Sequence, residues 1–180
     1  MRRTINTFFL AMGLALTVLS CDTDPTLQTY YVDNQETPNF LSVDIPPSIV
    51  GLDEANLTEG QLKAYKSIKR LNFLGYKLDE KNMEAYNAEL AKVKTILSDE
   101  KYEDLMEVND RAGRFVGKSV GDGDTIDEFV LFVSRNDTGF GIIRILGDDM
   151  DPAQIVTLVD AMKNTNFDSS KFDNIMNFYK

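Results

Sequence analysis

Residues 128–147 constrain this chain more than any other stretch. They read Glu-Phe-Val-Leu-Phe-Val-Ser-Arg, then Asn-Asp-Thr-Gly, then Phe-Gly-Ile-Ile-Arg-Ile-Leu-Gly. Two β-rich apolar runs flank a short polar turn, and Gly139 supplies the positive φ that such a turn needs at no steric cost. The pattern predicts a β-hairpin. Its first run, Phe129 to Val133, is apolar at every position. A strand of that kind belongs in the interior of a sheet with both faces covered. The hairpin therefore calls for a layered fold, and it carries no chemistry.

The rest of the C-terminal half continues the pattern. Leu105–Asn109, Arg114–Val120, Ile126–Ser134 and Phe140–Leu146 read as four strands. Three short polar turns join them: residues 110–113, 121–124 and 136–139. Turns of that length give an antiparallel meander. Upstream, Phe40–Asp44 alternates and predicts a first strand; Leu71–Leu78 predicts a second, with Gly75 marking a bulge or a close backbone approach. Thr58 is placed to cap a helix running to about Lys69. Asp79 begins a longer helix with Met83, Tyr86, Leu90, Val93 and Leu97 on one face. Asp151-Pro152 is an N-cap followed by proline at the first helical position, with Ile155, Leu158, Val159 and Met162 turned inward. A last short helix follows Ser170. It has to dock in order to persist, and the second sheet face is the natural place for it. The fold class expected is α+β: a four-strand meander plus one or two N-terminal strands, with amphipathic helices packed on the sheet.

The N-terminus carries a different signal. Arg2 and Arg3 precede a mostly apolar run, Phe8–Leu19, which is too short to span a bilayer core of about 30 Å as a helix. Val18-Leu19-Ser20-Cys21 follows and holds the one cysteine of the chain. This tetrad resembles the lipobox of bacterial lipoproteins. The resemblance implies thioether acylation of Cys21, cleavage after Ser20 and acylation of the new amine. Stable anchoring takes more than one acyl chain, at about 0.8 kcal/mol per buried methylene. Residues 21–39 then read as the lipidated cysteine and a flexible tether. Eighteen such residues reach roughly 20–25 Å on average.

Charge and residue usage exclude several functions. The chain has 29 acidic and 19 basic residues, a formal net charge of −10, and loss of residues 1–20 would remove two of the basic ones. An acidic body binds nucleic acid and anionic lipid poorly, so no nucleic-acid partner is expected. There is no histidine. That removes the commonest general base, serine–histidine triads and the usual zinc ligands. An acylated Cys21 is no nucleophile. No glycine-rich phosphate loop opens a helix. Carboxylates remain: Asp122 and Asp124 on one turn, Asp148, Asp149 and Asp151 on another. Loop carboxylates suit Ca²⁺. The EF-hand pattern fails, because Ile126 stands where a third ligand belongs and no glycine follows. The plain reading of these acids is turn formation, helix capping and solubility, so neither a metal nor any other cofactor is expected.

Lys101-Tyr102-Glu103-Asp104-Leu105-Met106, then Asp127–Val133, then Ile142–Gly147 and the helix through Ile155 and Met162 together resemble the domain of unknown function 4252 family, small exported proteins of Bacteroidetes. The likeness covers roughly residues 40–163. It implies fold and lineage and a place in envelope stress or signalling; it brings no catalytic residue. The organisation expected is a leader (1–20), a tether (21–39), an α+β domain (40–163) and a linker with a docking helix (164–180). The function expected is non-catalytic: binding, scaffolding or signalling by a domain held at the cell envelope, facing the periplasm or the cell surface at the outer membrane. Its partners would be the membrane, through the acyl chains on Cys21, and an envelope protein. The alternatives are a Ca²⁺-dependent module or carboxylate-based enzyme on the acidic turns, and a carrier of apolar ligands on the second sheet face.

Overall fold

The computed structural model describes residues 25–50, 52–79, 81, 83–121, 124–163 and 172–180. The expected leader, Ser20, Cys21 and Asp122 lie outside the described residues.

Six strands form one antiparallel sheet. They are β1 (Phe40–Ile45), β2 (Ile68–Lys77), β3 (Glu103–Asn109), β4 (Gly113–Val120), β5 (Ile126–Arg135) and β6 (Gly139–Met150). The spatial order is β1-β2-β6-β5-β4-β3. The meander β3 to β6 follows from its short turns, and Gly139 has φ +130° at the hairpin. The two N-terminal strands extend the sheet on the far side of β6, where β2 pairs in register from Lys77↔Gly139 to Ile68↔Gly147. β5 is interior, as its unbroken apolar run demands.

Strand periodicity sends alternate residues to opposite faces. Val130, Phe132, Phe140 and Ile142 face one core with Val116 and Leu74. Phe129, Leu131, Phe73 and Ile145 face the other. The first face is covered by α1 (Leu27–Asn34) and α3 (Met83–Leu97). The second is covered by α2 (Glu59–Ser67), α4 (Pro152–Lys163) and α5 (Asp173–Phe178). The expected docking of the terminal helix on the second face is present, though α5 shares that face with two others. Thr58 caps α2 in a reciprocal capping box with Gln61. Asp151 Oδ1 caps α4 by accepting from the amides of Ala153 and Gln154 at 2.9 and 3.1 Å.

Four expectations need correction. The stretch read as tether contains α1, whose Leu27, Tyr30 and Tyr31 are buried in the first core. Thr26 and Thr29 cap α1 reciprocally. The Tyr31 hydroxyl lies 2.8 Å from Ile142 O and 3.2 Å from Asn72 O and donates into that pair of strand carbonyls. α1 escapes a periodicity reading because its inward side is mostly tyrosine, flanked by polar residues. Second, α2 stops at Ser67, because β2 begins at Ile68 to reach Gly147. Third, Met83, expected inward, is 45% exposed at the first turn of α3. Fourth, β2's irregularity lies between Ile68 and Arg70, not at Gly75; Gly75 marks a close approach by a side chain.

Candidate functional site

The register across the second face builds continuous cross-strand rows. One runs Leu41, Gly75, Gly141, Val133, Phe115, Val108. The next, one pleat deeper, runs Val43, Phe73, Ile143, Leu131, Gly117, Met106. A third contains Leu71, Ile145 and Phe129, and it lies under α2 and α4. The first two rows have less cover: Val108 is 58% exposed, and Phe115 and Val133 are half-buried.

Gly75 and Gly141 are cross-strand partners. With no Cβ on either, they leave a trough, and Tyr179 lies over it. A Cβ at Gly75 would sit 2.5 Å from the Tyr179 hydroxyl and 2.8 Å from the Phe73 ring; one at Gly141 would be 3.2 Å from each. The hydroxyl donates to Phe140 O at 2.5 Å. Its burial pushes the Tyr179 pKa above the ordinary tyrosine range. Between this anchor and the hairpin runs an apolar groove of about 290 Å³. Phe73, Leu131, Val133 and Ile143 form its floor, Met176 and Tyr179 its wall, and Arg135 and Thr138 its rim. That size falls at the lower end for small-ligand sites, and apolar walls with few polar groups are their usual chemistry.

Two other cavities are polar. The larger, about 520 Å³, lies against the C-terminal end of α3 and the strands β3 and β4. Its strand cations are already paired: Lys118 with Asp104 at 2.7 Å and Arg114 with Glu107 at 3.1 Å. A ligand there would have to displace both pairs, so its volume is a weaker argument than the groove's chemistry. The smaller, about 160 Å³, lies beside α1 and touches Arg144. Arg144 is buried, with its side chain 7% exposed. Nε and Nη2 donate to Glu128 at 2.6 and 3.0 Å, and Nη1 donates to Gln28 of α1 at 2.7 Å. Burial opposes its charge, but the hydrogen bonds and charge of Glu128 outweigh that and hold its pKa above the ordinary value. Because it ties α1 to β5 and β6, this cluster is accounted for by the fold.

The acidic turns are used locally. Asp148 pairs with Lys69. Asp149 adopts φ +49°, which aspartate tolerates better than most residues. Asp151 is the cap of α4, and Asp124 is exposed in the turn before β5. Among the described residues no group of three or more His, Cys, Asp or Glu is placed to hold a metal ion. None of their helices is long and apolar enough to cross a membrane.

Sequence reasoning offered the second sheet face as a place for apolar ligands without locating the groove's residues, and it missed the Arg144–Glu128 pair. Gly75 was the one visible signal, and its meaning depends on Gly141 standing opposite.

The family model of a domain of unknown function, DUF4252, matches residues 30–158. The match takes in the groove's floor and ends before its α5 wall. No curated protein and no solved structure matches the chain.

Proposed function

The chain belongs to the DUF4252 family, and from that premise we propose that it is a non-catalytic binding domain, held at the cell envelope by acyl chains on Cys21, that takes an apolar ligand in the groove between the β5–β6 hairpin and α5. The groove is the observation that carries this reading. Its floor is sheet side chains fixed by strand register, so it is preformed and costs little ordering on binding. The absence of histidine from the whole sequence supports binding over turnover, since the commonest acid–base group is missing.

Two measurements test this. Titration with the neutral fluorophore N-phenyl-1-naphthylamine is expected to give saturable enhancement that Val133→Trp, which fills the groove, abolishes while the protein keeps its cooperative melt. Undiminished enhancement in that variant would put the site elsewhere. For the anchor, mass spectrometry of the mature N-terminus from envelopes is expected to show an acylated Cys21. An unmodified chain beginning at Met1 would refute the anchor.

A further inference from the structure

We propose that the groove's ligand is a single-chain amphiphile with an anionic head, its tail on the floor formed by Phe73, Leu131, Val133 and Ile143 and its carboxylate at the hairpin rim. This rests on the binding reading above and goes on to name the ligand class.

Polarity in the groove is segregated along the strand direction. The first two rows contribute Phe73, Leu131, Val133 and Ile143, all apolar. The polar groups, Arg135 and Thr138, stand at the hairpin end. Arg135 and Lys77 are both paired with Gly139 across the sheet, and strand alternation puts both on the groove's face. The row therefore brings two cations together. The one carboxylate in the turn is Asp137, whose oxygens lie 3.2 and 3.3 Å from Arg135 Nε and Nη2. Lys77 has no ion-pair partner among the described residues. Asp110 also acts electrostatically on Arg135, so Lys77 is the rim cation that a ligand carboxylate meets without displacing a partner, although the molecule as a whole is acidic.

The far end is closed. Phe129 and Ile145 form the row beyond Leu131 and Ile143, and Ile155 and Leu158 of α4 belong to the same packed cluster. From Arg135 to Leu131 is four residues, about 13 Å at strand rise. A site apolar and shut at one end, open and cationic at the other, and about 13 Å long fits an extended acyl chain of medium length with its carboxylate outward. A zwitterion or a cationic amphiphile would place positive charge against Arg135 and Lys77. The Arg135–Asp137 pair is half-exposed, and pairs of that kind hold weakly. A ligand carboxylate can share or replace Asp137 without a large loss.

The test is displacement of N-phenyl-1-naphthylamine from the full mature chain by dodecanoate, dodecanol and dodecyltrimethylammonium, each below its micelle concentration. Dodecanoate is expected to displace the probe at about fivefold lower concentration than dodecanol, and the ammonium compound least well. Arg135→Gln with Lys77→Gln should erase the advantage of dodecanoate and leave dodecanol unchanged. Asp137→Asn, which frees the guanidinium, should enlarge it. Equal displacement by all three, or preference for the ammonium, would overturn the head-group assignment while leaving the groove a binding site. Failure of the probe itself to bind would overturn both.

Discussion

Glu128 and Arg144 meet diagonally across β5 and β6, with both carboxylate oxygens engaged by the guanidinium at 2.6 and 3.0 Å. Val130, not Glu128, is the direct register partner of Arg144. The pair is nearly dry, at 12% and 7% side-chain exposure, and the Tyr31 ring lies 5.4 Å from the guanidinium carbon. A charge so placed is costly to orphan. Glu128→Leu is expected to lower stability by about 3–5 kcal/mol, whereas Glu128→Leu with Arg144→Met should recover most of the loss. Urea denaturation of both variants measures this. A double variant as unstable as the single would mean that the ion pair itself, and not the orphaned charge, carries the stability.

Leu27 distinguishes a docked α1 from a tether. It is 0% exposed in the first core. Leu27→Ala should cost about 2–5 kcal/mol through the lost transfer energy and the cavity left behind. A tether residue would cost nothing. Chemical denaturation with an unchanged m-value would report the difference as native-state stability.

Tyr179 and Gly75 should behave as one unit. Tyr179→Phe removes the donation to Phe140 O and should cost about 0.5–1.5 kcal/mol. Gly75→Val crowds the Tyr179 hydroxyl and the Phe73 ring and should loosen α5 from the sheet. Once Tyr179→Ala has removed that side chain, Gly75→Val should cost less than it does alone, because only the clash with the Phe73 ring is left. A double-mutant cycle on thermal melts reads this coupling. Strict additivity would mean that α5 does not rest on the glycine pair.

Alkaline pH should unfold the protein. Burial pushes the hydroxyls of Tyr30, Tyr31, Tyr76, Tyr86, Tyr102 and Tyr179 above the ordinary tyrosine value. Above about pH 10 the unfolded chain releases protons that the folded chain retains. The stability these groups contribute is therefore complete below about pH 10 and lost as pH rises further. Absorbance at 295 nm should show most tyrosines ionising together with unfolding. Their ionisation near pH 10 with the fold intact would contradict the burial described. No comparable histidine step exists near neutrality, because there is no histidine.

Much of the architecture is legible in the sequence, and for local reasons. The Phe129–Val133 run, the Asn136–Gly139 turn, the Thr58 cap and the Asp151-Pro152 start are each signals a few residues long, and each element they mark is present. α1 was not legible, because Tyr30 and Tyr31 in a polar stretch form no helical stripe; its helix is held by strand carbonyls more than 40 residues away.

The sequence alone determined the six strands and the helices other than α1, that the β5 run needed cover on both faces, and that the chain has no histidine to use. These depend on side-chain period, on turn residues within a few positions of each other and on which residue types occur at all. Only the tertiary structure decided that β2 closes on β6, that Gly75 therefore meets Gly141, that Arg135 and Lys77 share a rim, and that Arg144 finds Glu128 and Gln28. Each of these joins residues distant along the chain through a register. A slip of one residue would send the same side chains to the opposite face, so the groove exists as a consequence of pairing and not of any one segment.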